Sequence, residues 1–190
     1  SLRTQCLDFY EMHTDAQTDN ALKGKSRIDT LTSTFLAATL SKAHTLQMKL
    51  LPASGSGLGA ASASASGSAS GSGSSSSLSS CDSVLCVVRS WDGPKRDSEV
   101  QLFDRQWKPL QAPLTFSADS FVCRPDTMSE ERFSRLVALL DPIMFSVSLS
   151  PAENVLLVKL SPVVPNPEDE KAIEQILVQR KLKWDGKTFK

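Results

Sequence analysis

The chain has 190 residues, 21 of them basic and 21 acidic, with 40% hydrophobic and 6% aromatic content. That length supports one sizeable core or two small ones. Balanced charge lacks the basic excess of a dedicated nucleic-acid binder, so no nucleic-acid partner is expected. The longest apolar runs, such as Val155-Leu156-Leu157-Val158, fall far short of the roughly 20 residues a membrane helix needs, so no transmembrane segment is expected.

The averages combine two kinds of chain. Residues 53–80 are Ser, Ala or Gly throughout, apart from Leu58 and Leu78. Such a stretch cannot bury enough apolar area to offset its ordering entropy, which predicts a disordered loop. It follows an N-terminal helix and hairpin over residues 1–52. Residues 81–125 continue that first half, and residues 126–190 form a second α/β half. The chain opens on Ser1 with no basic-then-apolar segment behind it, so it reads as a processed or trimmed fragment.

In chain order, Leu2, Cys6, Phe9, Tyr10 and His13 fall near helical spacing, which predicts a helix over about 2–20 that stops by Gly24. Thr34–Leu40 then forms one arm of a hairpin, turning at Ser41–His44. Leu46, Met48 and Leu50 alternate with polar residues on the other arm, which Pro52 ends. Val84–Trp91 reads as a central strand broken by Asp92-Gly93-Pro94, where glycine would supply positive φ. Ser98–Asp104 is its partner, followed by a meander through Trp107 and Leu114 to Val122.

Thr127-Met128-Ser129-Glu130 matches a capping box, and Phe133, Leu136, Val137 and Leu140 give the helix behind it an apolar stripe. Pro142 closes this helix. Ile143–Leu149 and Val155–Leu160 form a second hairpin. Asn166 caps a last helix with Pro167 at its first position, and Ala172, Ile173, Ile176 and Leu177 supply its inner face. Leu182–Trp184, the Asp185-Gly186 turn and Thr188-Phe189 make a terminal hairpin. The fold class is α+β, a mostly antiparallel sheet with about three helices.

Two segments repeat. Leu40-Ser41-Lys42-Ala43 with Met48-Lys49-Leu50-Leu51-Pro52 parallels Leu149-Ser150-Pro151-Ala152 with Val158-Lys159-Leu160-Ser161-Pro162. Trp91-Asp92-Gly93 recurs as Trp184-Asp185-Gly186. The order is shared, so two similar halves with a groove between them are expected.

No catalytic constellation emerges, and no catalytic residue is assigned. Gly55–Ala60 fits G-x-G-x-x-A in form, but Pro52 precedes it and a Ser/Ala/Gly tract follows, so the strand and helix that the dinucleotide fingerprint requires are missing. Gly67–Gly71 misses the central serine of a nucleophile elbow. Cys6, Cys81, Cys86 and Cys123 allow three full pairings, and a redox role for Cys81 with Cys86 is one possibility. Without a C-x-x-C, and with His13 and His44 far apart, no metal site is expected. Asp126, Glu130 and Glu131, like Glu168, Asp169 and Glu170, sit where a helix dipole favours negative charge. A hydrolase built on such carboxylates remains the alternative.

Trp91, Trp107 and Trp184 are the most informative large side chains. Tryptophan near a turn offers broad contact area at low entropic cost, so Trp91, Asp92, Trp107, Trp184 and Asp185 are the candidate partner-binding residues, although core closure is the commoner role.

Leu7-Asp8-Phe9-Tyr10, Leu22-Lys23-Gly24-Lys25-Ser26, Leu46–Pro52, Val84–Trp91, Asp104-Arg105-Gln106-Trp107-Lys108-Pro109-Leu110 and Leu149-Ser150-Pro151 together resemble an uncharacterised Bacteroidales family, DUF3256. The resemblance covers nearly the whole chain except the Ser/Ala/Gly insertion, which its members generally lack at this length. It implies an N-terminal signal peptide, further helical residues before Ser1, and export to the periplasm or cell surface. It supplies no catalytic residues. The two-half outline is similar to the β-lactamase-inhibitor-like fold, whose members bind proteins. The expectation is therefore an exported, non-enzymatic module that binds an envelope protein or peptide and needs no cofactor.

Overall fold

The computed structural model describes residues 18–19, 25–53, 83–111 and 113–190. The helix expected over 2–20 lies outside them except at its end, where Thr18–Asp19 is extended and pairs with Ser26 and Lys25 instead. The Ser/Ala/Gly stretch, Cys6 and Cys81 also lie outside the described residues.

The described residues form an α+β fold of antiparallel sheets and two α-helices. Strands β1 (Thr18–Asp19), β2 (Lys25–Leu31), β3 (Phe35–Ser41), β4 (His44–Pro52), β5 (Ser83–Asp92) and β6 (Arg96–Phe103) pair in sequence order. Strands β7 (Phe145–Leu149), β8 (Val155–Leu160) and β9 (Arg180–Lys183) make a second sheet. Helix α1 spans Glu130–Ala138 and α2 spans Pro167–Glu174. A 3-10 turn at Ala118–Phe121 lies on the path between the sheets.

Strand β2 departs from the sequence expectation. Only Ile28 of its seven residues is fully buried, so it carries almost no hydrophobic alternation. A bulge at Asp29 breaks its register with β3, and that carboxylate accepts from Thr39 and pairs with Arg27. Strand β5 shows the opposite pattern: Val84–Val88 is buried without a break, as expected of a strand covered on both faces. Pro52 and Ser83 are register partners, so the Ser/Ala/Gly stretch joins the ends of two neighbouring strands.

Cross-strand register sorts the six-stranded sheet into two faces. The first carries Phe35, Leu51, Val84, Cys86, Val88, Val100 and Leu102, packed with Val147, Leu149, Leu156, Val158 and Leu160 of the smaller sheet and with Leu136, Leu140, Ile173 and Ile176 of the helical segments. The expected halves therefore share one core. Burial of each such side chain contributes about 1.5–3 kcal/mol. The second face carries Leu36, Ala38, Leu85, Val87 and Phe103, with Leu46, Met48 and Leu50 partly buried beside them.

The sheets are joined through polar groups. Strand β7 crosses β6, β5 and β4, and its outer backbone amides donate to side chains of the larger sheet. Phe145 N donates to Asp97 Oδ1 at 3.3 Å, Val147 N to Ser98 Oγ at 3.2 Å and Leu149 N to Gln47 Oε1 at 2.8 Å. An edge that would otherwise offer a template for foreign strands is thereby saturated. The outer edge of β6 is covered in a similar way: Leu110 N donates to Leu102 O and Leu114 N to Val100 O.

Several local expectations are corrected. The α1 cap is Ser129, which accepts from Arg132 N, rather than Thr127, so the capping box lies two residues too early. Strand β7 begins at Phe145, leaving Ile143 53% exposed. Gly93 does not use positive φ, and a Cβ there would meet only Lys95 O at an ordinary 3.7 Å. Gly186, at φ 99°, does require glycine's freedom. Asn166 caps α2 as expected, accepting from Glu168 N at 3.1 Å.

Candidate functional site

Trp91 sits at the end of β5, directly opposite His44 of β4. Their rings stack at 5.3 Å with planes 11° apart, while Trp91 stays 41% exposed. The stack holds a large amphipathic surface in one orientation. His44 Nε2 is buried and without a hydrogen-bond partner. The β3–β4 turn is tied to the same corner, since Asp92 N donates to Ala43 O at 2.8 Å.

Beside Trp91, Asp92 is gripped by Arg96 through two parallel hydrogen bonds of 2.6 and 2.9 Å. These bonds hold the Asp92 carboxyl below its ordinary range and raise the guanidinium, against the opposing effect of partial burial. Lys95, in the same hairpin, pairs with Glu170 of α2 at 2.5 Å. The corner is thus an exposed indole framed by paired charges.

Trp107 lies beyond the other end of β6, 42% exposed and tilted against Phe103 at 6.0 Å. Its φ is 62°, a left-handed conformation that is uncommon for a bulky residue. Asp104 imposes it: Oδ1 accepts from Gln106 N and Lys108 N at 2.9 Å, and the carbonyl accepts from Trp107 N. An exposed tryptophan is thus held in a left-handed conformation by its own turn.

Trp184 and Asp185 lie in a different setting. Trp184 Nε1 donates to Pro52 O at 2.6 Å, and its ring packs on Phe189 at 5.1 Å. Asp185 accepts from Lys187 N and Thr188 N and pairs with Lys190 at 2.6 Å. Those bonds hold its carboxyl far below the ordinary range. The candidate residues therefore divide into a corner at Trp91 and Asp92, a strained turn at Trp107, and a terminal hairpin at Trp184 and Asp185.

Lys49 carried no sequence signal as a special residue. It is 2% exposed on the first face, and Nζ donates to the carbonyls of Ser150, Pro151 and Glu153 at 2.6, 3.0 and 2.6 Å. Burial lowers its pKa, partly offset by the Glu153 charge. All three acceptors lie in the β7–β8 turn, so its ammonium locks the two sheets together.

Cys86 is a free thiol with no exposure, and burial pushes its pKa up to about 12. That is inert, structural cysteine rather than a redox centre. Three of the helix-start carboxylates are engaged with cations: Glu130 with Arg124, Asp169 with Arg135 and Glu170 with Lys95. Among the described residues, no group of three or more His, Cys, Asp or Glu could hold a metal ion, and no helix is long and apolar enough to cross a membrane.

The model of DUF3256, described as a protein family of unknown function, matches residues 1–58 and 76–189. The chain belongs to the DUF3256 family. The unmatched residues 59–75 fall inside the Ser/Ala/Gly stretch. A solved domain of an uncharacterized protein from Porphyromonas gingivalis W83 has a similar fold, with a TM-score of 0.65 and 24% identity over 94% of this chain and 80% of that one. No curated protein matches the chain.

Proposed function

We propose that this DUF3256 member is a non-enzymatic interaction module of the bacterial envelope, engaging a protein or peptide through Trp91 and Trp107. The observation that carries this reading is the exposed Trp91 ring held flat on His44 beside the Asp92–Arg96 pair. An indole that is already ordered loses little entropy on binding, which is the property of interface anchors. Trp107, exposed in a left-handed conformation, supports a second anchor. The envelope location rests on the family resemblance.

The carboxylate hydrolase has less support, because three of its six helix-start carboxylates, Glu130, Asp169 and Glu170, are paired with cations. Duplication of the halves also stands as a proposal. In its favour, each of the hairpins β3–β4 and β7–β8 is followed, after an insertion, by a strand that pairs with it and runs into a W-D-G segment. Corresponding lysines differ, Lys49 being buried and Lys159 exposed. A superposition of the halves that fails to align the two hairpins would sink duplication and the β-lactamase-inhibitor-like arrangement with it.

The decisive experiment is capture from the host's envelope fraction with the folded domain as bait, followed by titration of the enriched partner. Trp91→Ala and Trp107→Gly should each weaken a saturable partner by at least about tenfold, the roughly 1.4 kcal/mol expected of an anchor residue. Trp184→Phe should leave binding unchanged once folding is verified. Retention of full affinity in both of the first two variants, or no saturable partner at all, overturns the reading.

A further inference from the structure

The smaller sheet turns one face to the shared core and the other away from it. Register sorts the two. Phe145, Val147 and Leu149 of β7 pair with Leu160, Val158 and Leu156 of β8, and Leu156 pairs with Leu182 of β9, all packed in the core. The alternate residues, among them Ser146, Ser148, Leu157, Lys159, Lys181 and Lys183, therefore share the opposite face. Leu157 is half-buried there and, among the described residues, packs in neither apolar cluster. Charge on this face has one sign. Lys159, Lys181 and Lys183 are exposed. Lys181 pairs with Glu153 of the β7–β8 turn, whereas Lys159 and Lys183 make no ion pair among the described residues. The Lys181 hydrogen bond, with the charges of Lys183 and Lys49, holds the Glu153 carboxyl below its ordinary range, so several ammonium groups crowd one carboxylate. The excess is local, because the whole chain carries 21 basic and 21 acidic residues.

We propose that this face docks an acidic, extended segment of a partner protein, its carboxylates on Lys159, Lys181 and Lys183 and its backbone over Leu157. Spacing supports this. Lys181 and Lys183 stand two residues apart on one strand, about 6.6 Å, the interval at which an extended peptide repeats the side chains of one side. Lys159 lies on the diagonal from Lys181 across the β8–β9 ladder, about 7–8 Å away. Chemistry selects among anionic partners. Single-stranded nucleic acid is held on aromatic platforms, and the three strands place no aromatic side chain on this face. Anionic lipid surfaces draw clusters of about four to eight cations, and the face presents three lysines. A small set of fixed cations instead sets the register and choice of a protein partner. The inference is independent of the partner reading at Trp91 and Trp107.

An amide NMR titration of the full chain with a short blocked peptide of alternating Glu and Thr tests it. Shifts should saturate and concentrate in Ser146–Lys159 and Arg180–Trp184. Lys159→Glu with Lys183→Glu should weaken binding at least about tenfold, with the melting temperature unchanged, and Lys159→Arg with Lys183→Arg should restore it. Lys25→Glu with Lys42→Glu, exposed lysines of the larger sheet, makes the same change in net charge and should leave binding as it was. Equal weakening by that pair, equal binding of an alternating Lys and Thr peptide, or no saturation by about 1 mM peptide overturns the proposal. So does tighter binding of phosphatidylglycerol vesicles or of oligodeoxythymidine that Lys159→Glu with Lys183→Glu abolishes, since the face would then serve a membrane or a nucleic acid.

Discussion

Lys49 shows how one residue can join two sheets. Its ammonium has left water and is satisfied by three turn carbonyls, each far along the chain. Lys49→Met keeps most of the apolar stem but leaves those carbonyls without their donor. Hydrogen bonds to a charged group contribute about 1.5–3 kcal/mol, so a loss of about 3 kcal/mol is expected in urea denaturation. A loss below about 1 kcal/mol would mean that water replaces the ammonium. Asp92 gives a pH signature. Its folded pKa lies below the ordinary value of 3.8, chiefly through the Arg96 hydrogen bond, so the stabilisation is present above that value and is lost as pH falls through the folded one. In acid titrations, the stability gap between wild type and Asp92→Asn should be full at neutral pH and close below about pH 4. A gap that does not change with pH would assign the effect to packing.

Elements whose pattern matched their environment were legible in the chain. Strand β8 runs over Val155–Leu160 as expected, and α2 starts at Pro167 behind the Asn166 cap. Asn166→Ala should cost about 1 kcal/mol by thermal or chemical denaturation, because Glu168 N loses its acceptor. No measurable change would mean that another group takes over the cap. The Ser129 cap was misplaced for a physical reason. Thr127 and Ser129 both precede acidic residues, and only the chain's path into the helix decides which hydroxyl reaches a free amide. Strand β2 escaped notice because pairing with β3, rather than burial, specifies it.

At the scale of the molecule, the connection between β4 and β5 is the largest departure from economy. These strands are register partners from His44–Trp91 to Pro52–Ser83, a pairing that a short loop could serve. Deleting residues 56–79 shortens the loop several-fold. Since each doubling of loop length costs about 0.6 kcal/mol, the shortened protein should be about 1–2 kcal/mol more stable, with the same near-UV circular dichroism. A fall in melting temperature would show that the stretch makes stabilising contacts. The single core beneath the sheets makes a second prediction. Leu156, with no exposure, belongs to the small sheet yet packs in the shared core. Leu156→Ala should therefore lower stability by about 2–5 kcal/mol in one cooperative transition reported identically by Trp91 and Trp184 fluorescence. Two separated transitions would mean that the sheets unfold independently.

The amino-acid sequence by itself determined the antiparallel α+β class, the hairpins β3–β4 and β7–β8, the two described helices, the family, and the residues most exposed to comment, because each rests on local periodicity, capping chemistry or short motifs. Tertiary structure decided what those residues do. Trp91 and Trp184 share a W-D-G motif, yet one ring lies exposed on His44 and the other is tied to Pro52. Lys49 and Lys159 share a K-L-x-P motif, yet only Lys49 is buried. In each pair the local sequence is the same, and the difference comes from groups brought near by distant parts of the chain, which no local pattern encodes.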